Sequence, residues 1–179
     1  VTGVQTCALP IFSAGDGAEL WSFIAGGRVD SPPTLWRGLA IFGCNDGWVY
    51  CLRAADGVLA WRFRAAPAER QTVAFDQVES LWPVSGSVLV RDGVVHCVAG
   101  RSMFLDGGLR MIQLDARTGR LIAEKVLDDR VAEDGGKPLQ DYVDGLSLPV
   151  GLPDILSSDD QHVYMRTTKG LRPVHVIYR

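Results

Sequence analysis

The chain has 179 residues, of which 47% are hydrophobic and 22% charged, and a formal net charge of −3. This composition is typical of a folded globular protein and gives no sign of disorder. The acidic balance, without a cluster of lysine and arginine, argues against a nucleic-acid partner. No apolar run reaches the roughly 18 residues that cross a bilayer.

The chain opens with "VTGVQTCALPI", a stretch with no charge and no helical or strand period. It resembles the in-frame translation of a common short-read sequencing adapter. A signal-peptide remnant is the alternative, but the stretch lacks a basic n-region and its apolar part is too short. We therefore interpret residues 1–12 as a non-native leader, assign 13–179 to one domain, and expect the natural amino terminus to be missing.

A motif of Asp-Gly followed by Trp-x-Phe occurs twice, at a spacing of 40 residues. Self-similarity at about this period is typical of propeller blades. A weaker third copy keeps the turn as Thr118-Gly119. The matched residues are Asp16, Gly17, Trp21 and Phe23 in the first copy, and Asp56, Gly57, Trp61 and Phe63 in the second.

Short alternating runs between the copies predict strands. The runs within 31–64 are divided by glycine turns that supply the positive φ of tight hairpins, and they predict one complete antiparallel sheet with strands A to D. A second sheet is predicted over 87–127, and a third opens at 153–166 with a turn at Ser158–Gln161. The turns of the first sheet are Arg37-Gly38, Asn45-Asp46-Gly47 and Asp56-Gly57.

Stacking such sheets radially buries the faces that each sheet alone would expose, which is the architecture of a β-propeller. Trp21 and Trp61 take the same place in the outermost strands of successive blades, so we predict that they dock each blade on the adjoining sheet. Two unrelated buried tryptophans are the alternative, but they leave the matched Asp-Gly and Phe unexplained. The predicted fold class is all-β: a partial β-propeller of four-stranded antiparallel blades, with about two full blades plus partial flanking blades.

The intact pattern Leu-Asp-Ala-x-Thr-Gly-x-Leu at Leu114–Leu121, with the two Trp-x-Phe copies, resembles the pyrroloquinoline quinone (PQQ) type of propeller repeat. That repeat occurs in quinoprotein alcohol dehydrogenases and in the lipoprotein scaffold of outer-membrane β-barrel assembly. The resemblance implies neighbouring blades of the same full-length chain, and a periplasmic or exported location. The sequence departs from the repeat at Arg53, where Asp is usual, and at Ala123, where the third tryptophan would stand.

Three segments exceed minimal connections: 65–79, 100–108 and 128–150. In a propeller the B–C and D–A connections share one face, so all three insertions fall on the same side. Such insertions usually map to the binding face. Their charges are solvated loop charges or, as a set, a site for a polar ligand or partner. The candidate residues are Arg70, Arg101, Phe104, Asp106, Asp128, Asp129 and Arg130, with Asp141 and Asp144 further along.

The segment "GRSMFLDGG" at 100–108 allows two interpretations. In the functional one, Arg101 binds an anionic group and Phe104 forms a wall against an apolar one. In the structural one, which we favour, the loop folds its apolar residues back over its own blade.

No pattern identifies a catalytic residue or a metal site. The cysteines lack the spacing of zinc or disulfide sites and are predicted to be small buried hydrophobes, and the histidines lie far apart in predicted strands. For a quinoprotein dehydrogenase the resemblance implies adjacent cysteines, a tryptophan platform and calcium ligands. Adjacent cysteines are absent, and the aspartate pairs lack a calcium-loop spacing. The residues considered are Cys44, Cys51, Cys97, His96, His162, His175, and, as platform or core, Trp36, Trp48 and Trp82.

We therefore expect a binding or scaffold domain of a larger bacterial protein, which recognises a protein or a polar small molecule through the inserted loops. Enzymatic activity stays open. One alternative is a fragment of a PQQ-dependent oxidoreductase, whose site for PQQ and calcium lies in blades outside this chain. Another is an accessory propeller fused to a different enzyme. For the chain itself we expect no cofactor and no metal.

Overall fold

The computed structural model describes residues 7–74, 76–128, 130–131, 137–138, 151–167 and 174–178. All the regular elements in these ranges are β-strands, and none is a helix long and apolar enough to cross a membrane. The strands are β1 (Ala8–Phe12), β2 (Glu19–Ile24), β3 (Thr34–Trp36), β4 (Leu39–Gly43), β5 (Trp48–Arg53), β6 (Leu59–Arg64), β7 (Gln71–Ala74), β8 (Gln77–Ser80), β9 (Leu89–Arg91), β10 (Val94–Ala99), β11 (Leu109–Asp115), β12 (Leu121–Leu127), β13 (Arg130–Val131), β14 (Lys137–Pro138), β15 (Gly151–Ser158), β16 (Val163–Thr167) and β17 (Val174–Tyr178).

Two complete four-stranded blades stand at the centre of the molecule. Blade 2 has the order β3-β4-β5-β6 and blade 3 the order β9-β10-β11-β12, each running from strand A to strand D. Blade 1 contributes β1 and β2, and blade 4 contributes β15, β16 and β17. The predicted all-β partial propeller is confirmed, with both full blades and the start of the next at the expected positions.

The core lies between the blades. Strands B and C of blades 2 and 3 are almost wholly buried, whereas strand D alternates between exposed and half-buried residues. Because side chains alternate along a strand, Phe42 packs toward blade 1 and its neighbour Ile41 toward blade 3. Met103, Met111 and Met165 lie in the cluster between blades 3 and 4.

The tryptophan of strand D joins one blade to the next. Trp61 Nε1 donates a hydrogen bond to the carbonyl oxygen of Ala116 at 3.1 Å. Its ring lies on Gly119 in the C–D turn of blade 3, where a methyl group would stand 2.6 Å from ring carbons. Trp21 repeats the arrangement one blade earlier on Ala54, at 3.0 Å, and on Gly57.

A β-bulge immediately precedes the tryptophan position in all three C–D pairings. In blade 2 the pairing skips Ala60, next to Trp61, and blades 1 and 3 skip Leu20 and Ile122. A bulge increases the local twist and re-aims the following side chain. Ala123 stands at the tryptophan register in blade 3, so that blade lacks the indole there.

Strand β1 corrects one expectation about the start of the chain. Ala8–Phe12 pairs with β2 along its length, and Leu9 is buried. The prediction that this stretch has no strand period is therefore wrong for these residues. Pro10 weakens the sequence signal for a strand, because proline is rare in the middle of a sheet. It is tolerated because β2 is the only described partner of β1, so a missing N–H on the other edge breaks no ladder. The interpretation of residues 1–12 as a leader stays a prediction.

Two of the three insertions contain hairpins. We call β7–β8 the first inserted hairpin and β13–β14 the second; both lie in D–A connections, after blade 2 and blade 3. Much of the connection that holds the second hairpin, including Asp129, Asp141 and Asp144, lies outside the described residues.

Candidate functional site

The B–C and D–A connections form one face of the propeller, which we call the inserted face. The first inserted hairpin is fixed there by backbone hydrogen bonds. Leu81 N donates to Arg70 O at 3.0 Å and closes the base of the hairpin, while Ser80 N donates to Asn45 O in the B–C turn of blade 2 at 2.8 Å. The hairpin is therefore tied directly to the blade beneath it.

Under the hairpin lies a cluster that we call the buried polar cluster, formed by Arg28, Asp30, Asn45 and Glu79. Asn45 is 1% exposed, and its Nδ2 donates to Asp30 Oδ2 at 2.9 Å and to Glu79 Oε1 at 3.1 Å. Arg28 Nη2 lies 3.2 Å from Glu79 Oε1, and Arg28 Nε lies 2.5 Å from Asp30 Oδ1. The Asp30 carboxylate raises the pKa of the Arg28 guanidinium.

The buried polar cluster joins three separate segments: the connection from blade 1 to blade 2, the B–C turn of blade 2, and the first inserted hairpin. Glu79 is 4% exposed, so removing it would leave Asn45 with one carboxylate fewer in a site closed to water. The cluster thus makes the position of the hairpin depend on blades 1 and 2 together.

Two apolar side chains are exposed on the outer side of the hairpin. Val73 and Val78 are directly opposite each other in the antiparallel register and are 73% and 59% exposed. Sequence reasoning missed this pair because it considered only the charged residues of the insertion. Arg70, which it did consider, is exposed at the base of the hairpin.

The loop at 100–108 folds Met103 and Phe104 back over its own blade. Met103 is buried, and Phe104 packs against the cluster between blades 3 and 4 instead of forming an open wall. Arg101 Nη2 pairs with Asp106 Oδ2 at 2.7 Å within the loop. Trp82 Nε1 donates to the carbonyl oxygen of Asp106 at 2.9 Å, which ties the loop to the segment after the hairpin.

The remaining candidates lie at the second inserted hairpin. Asp128 is half-buried beside Gly108, where a methyl group would stand 3.0 Å from the Asp128 Cα and Cβ. Arg130 pairs through its backbone with Pro138. The structure therefore places Arg70, Arg101 and Asp106 around the first inserted hairpin and Asp128 and Arg130 at the second.

The structure describes the side chains of the three predicted cysteines and of His96 and His162. Cys44, Cys51 and Cys97 are buried and free, as predicted, and burial raises the pKa of the Cys97 thiol to about 12. Burial also lowers the pKa of His96. His162 lies in the turn before β16 and not within a strand as predicted, because its backbone N–H donates to Asp159 Oδ1.

The described residues do not fit a PQQ site. No two cysteines are adjacent in the sequence. The guanidinium of Arg62 lies 4.6 Å from the centroid of the Trp48 ring, and that of Arg37 lies 5.2 Å from the Trp36 ring. Trp82 is only 7% exposed. Trp36 and Trp48 are thus half-buried with a guanidinium near the ring, and Trp82 is buried. In the described part of the chain no group of three His, Cys, Asp or Glu is placed to hold a metal ion.

A cavity of about 420 Å³ opens on the opposite face, between the A–B turn of blade 2 and the A–B and C–D turns of blade 3. We call it the turn-face cavity. Sequence reasoning missed it, although Arg37-Gly38 carries a signal: the equivalent turn of blade 3 is Asp92-Gly93, the ordinary choice for a tight hairpin. Its lining residues are Trp36, Arg37, Asp92, Gly93, Asp115 and Arg117.

Comparison with known proteins places the chain in a family. A family profile described as outer membrane protein assembly factor BamB matches residues 8–171. No curated protein sequence matches the chain.

Three solved structures are similar. Quinohemoprotein alcohol dehydrogenase ADHIIG from Pseudomonas putida HK5 has 15% identity and a TM-score of 0.64 over 87% of this chain and 25% of that one. Quinohemoprotein alcohol dehydrogenase from Comamonas testosteroni has 19% identity and a TM-score of 0.56 over 68% of this chain and 18% of that one. BamB from Moraxella catarrhalis has 16% identity and a TM-score of 0.43 over 90% of this chain and 64% of that one.

The chain spans a quarter or less of each dehydrogenase, and the likeness to them shows the propeller fold alone. The profile match covers most of the chain, and the repeat, the antiparallel blades and the tryptophan contacts agree with it. The chain belongs to the family of PQQ-type propellers whose profile is described as outer membrane protein assembly factor BamB.

Proposed function

We propose that this propeller is a binding or scaffold domain that recognises a protein partner through the inserted face. The observation that carries the proposal is the first inserted hairpin. The buried polar cluster fixes it from below, while its outer side presents apolar side chains to solvent. A hairpin that is held rigidly loses little conformational freedom when a partner binds it.

The 100–108 loop on the same face carries a further exposed apolar side chain. Val73 and Val78 form one cross-strand pair, and Leu105, 53% exposed, lies in the 100–108 loop that Trp82 ties to the hairpin segment. Covering a valine or leucine fully would contribute about 1.5–3 kcal/mol. Apolar anchors surrounded by polar residues are typical of binding hot spots.

The partner that fits this surface is a protein segment with apolar side chains at its centre and polar groups at its edge. Arg70 at the base of the hairpin and Asp76 in its turn are both exposed and offer charges of both signs to such an edge. The charged loop residues, first considered as a site for a polar ligand, are thus proposed to form a polar rim around an apolar centre. The family description supports an exported or periplasmic location for the encounter.

Site-specific photo-crosslinking in the source cells tests the proposal. A photoreactive amino acid at position 73 should give one discrete protein adduct, identified by mass spectrometry. The matched control places the same amino acid at Leu20 in strand D of blade 1, which is 60% exposed and lies away from the inserted face. Val78→Glu should abolish the adduct at 73 without changing the unfolding midpoint, since the side chain is largely exposed. Equal adducts at positions 73 and 20 would contradict the proposal.

The likeness to quinohemoprotein alcohol dehydrogenases favours a second candidate, a segment of a PQQ-dependent oxidoreductase. Its cofactor groups would have to come from other blades, because the described residues do not fit them. The full-length protein, supplied with PQQ and calcium, would then reduce an artificial electron acceptor with an alcohol as substrate. The binding proposal predicts no PQQ-dependent reduction together with a discrete adduct at position 73.

A further inference from the structure

We propose that the turn-face cavity binds a small oxyanion, a carboxylate or a phosphate group, through the guanidinium groups of Arg37 and Arg117. The cavity lies on the face opposite the first inserted hairpin, so this site is independent of the function proposed above. Its volume, about 420 Å³, is in the range of small-molecule sites.

The two arginines of the cavity are not paired directly with its two aspartates. Among the described residues neither Arg37 nor Arg117 forms an ion pair. Asp115 turns its carboxylate into its own turn, where it accepts hydrogen bonds from Thr118 Oγ1 at 2.7 Å and Thr118 N at 2.8 Å. Asp92 is 87% exposed and lies 3.4 Å from Arg91 Nε. Each carboxylate thus has partners other than the two arginines, and both guanidinium groups keep their N–H donors for a ligand.

The backbone at Arg37 is a second, independent observation. Arg37 has a φ of 45° and Gly38 one of 80°, which is a type I′ turn. The first position of that turn favours Asn, Asp or Gly, and blade 3 has Asp92 there with a φ of 50°. An arginine in the left-handed region is disfavoured by contact between its Cβ and the carbonyl oxygen. The turn geometry therefore does not account for an arginine at this position, and we assign its side chain a role in the cavity.

Trp36 restricts where the guanidinium of Arg37 can go. The guanidinium carbon lies 5.2 Å from the Trp36 ring centroid, a distance typical of cation–π contact. The ring itself is held against blade 3, where a methyl group on Gly93 would stand 3.6 Å from it. An arginine that is oriented before binding offers its paired N–H donors to an oxyanion at low entropic cost.

Binding is measured by NMR on the full chain. The indole N–H signal of Trp36, assigned with Trp36→Phe, is followed while inorganic phosphate or succinate replaces chloride at constant ionic strength. The site predicts a saturable shift with a Kd of roughly millimolar or tighter for at least one probe. A response to phosphate alone identifies a phosphate-bearing ligand, and a response to succinate alone identifies a carboxylate.

Three variants decide whether the arginines are responsible. Arg37→Asn places a favoured residue in the turn, so the fold should be kept while the affinity falls at least tenfold, and Arg117→Gln should weaken binding similarly. Arg120→Gln, in the same turn but outside the cavity lining, should bind like the parent chain. No saturable shift with either probe, or equal affinities for the Arg37, Arg117 and Arg120 variants, would overturn the proposal and leave two solvated arginines.

Discussion

The contact between Trp61 and Gly119 accounts for the residue type at both positions. The glycine has a φ of 70°, which already favours Gly, and the indole ring fills the space where any other residue would carry its Cβ. The indole N–H is satisfied by the carbonyl oxygen of Ala116 in the same turn. One tryptophan thus fills the space beside the glycine and donates to a carbonyl oxygen of the same turn. This is why tryptophan and glycine recur together in successive blades.

Removing the indole should destabilise the protein. We expect Trp61→Ala to lower the free energy of unfolding by roughly 3–5 kcal/mol, the range for deleting a large packed aromatic side chain. Trp61→Phe, which keeps an apolar ring but loses the donor to Ala116, should lower it by about 1 kcal/mol. Urea denaturation measures both. A change within about 0.5 kcal/mol for Trp61→Ala would remove the docking role.

The glycine can be tested against a control with the same backbone. Gly17 has a φ of 72° and no atom within 4 Å of an added Cβ, whereas Gly119 has a φ of 70° and the indole at 2.6 Å. Gly17→Ala should therefore show only the left-handed strain of about 1–2 kcal/mol. Gly119→Ala should add the displacement of Trp61 and unfold at a clearly lower urea concentration. Equal midpoints would mean that the ring does not occupy the site.

Among the elements, the first inserted hairpin depends on side chains from elsewhere. Its two strands are short, and an isolated hairpin of this length is marginally stable in water. Asn45 and Arg28 hold it through Glu79, and the backbone of Asn45 accepts a further bond from Ser80. The folded state of the hairpin thus depends on contacts with blades 1 and 2 as well as on its own sequence.

Removing the Glu79 carboxylate should destabilise the first inserted hairpin without destabilising the blades. Glu79→Ala should cost about 1–3 kcal/mol, because it leaves buried donors with fewer acceptors, and amide hydrogen exchange should speed up at β7 and β8 before the blades are affected. The matched control is Glu124→Ala, which removes a carboxylate paired with Arg110 in blade 3, away from the hairpin, and should leave exchange at β7 and β8 unchanged. Uniform exchange over hairpin and blades in Glu79→Ala would refute local anchoring.

Strands were predictable where alternation and glycine turns coincide, as in blades 2 and 3. The first inserted hairpin has no glycine between Gln71 and Ser80; its turn uses Asp76, at a φ of 59°, which no strong turn signal marks. The bulges before the tryptophan positions could not be predicted from the sequence either. A bulge depends on how two strands pair and has no residue type of its own.

The sites were harder to predict than the strands. The buried polar cluster draws Arg28, Asn45 and Glu79 from three segments, so no spacing in the sequence links them. The inserted face was predicted from the positions of the insertions, but the charged residues considered there form local pairs such as Arg101 with Asp106. The turn-face cavity arises where two blades meet, and only the arginine in a tight turn hinted at it.

In the molecule as a whole, radial stacking separates two faces with different chemistry. The inserted face carries long connections and apolar side chains, and the other face carries short turns and the turn-face cavity. Substitutions at distant sites without shared partners act additively. We expect Val73→Glu to leave anion binding at the cavity unchanged and Arg37→Asn to leave crosslinking at position 73 unchanged. NMR titration and crosslinking yield measure the two effects, and a loss of both in either variant would contradict separate sites.

Both faces exist only if the blades dock as described, so the most direct measurement is a double-mutant cycle of Trp61→Ala and Gly119→Ala by urea denaturation. Docking of the indole on the glycine predicts strong coupling: once the indole is gone, the added methyl group has nothing to displace, and the double variant should lose at least about 1 kcal/mol less than the sum of the single losses. Additive losses, within about 0.5 kcal/mol, would show that Trp61 does not rest on Gly119 and would contradict the blade arrangement.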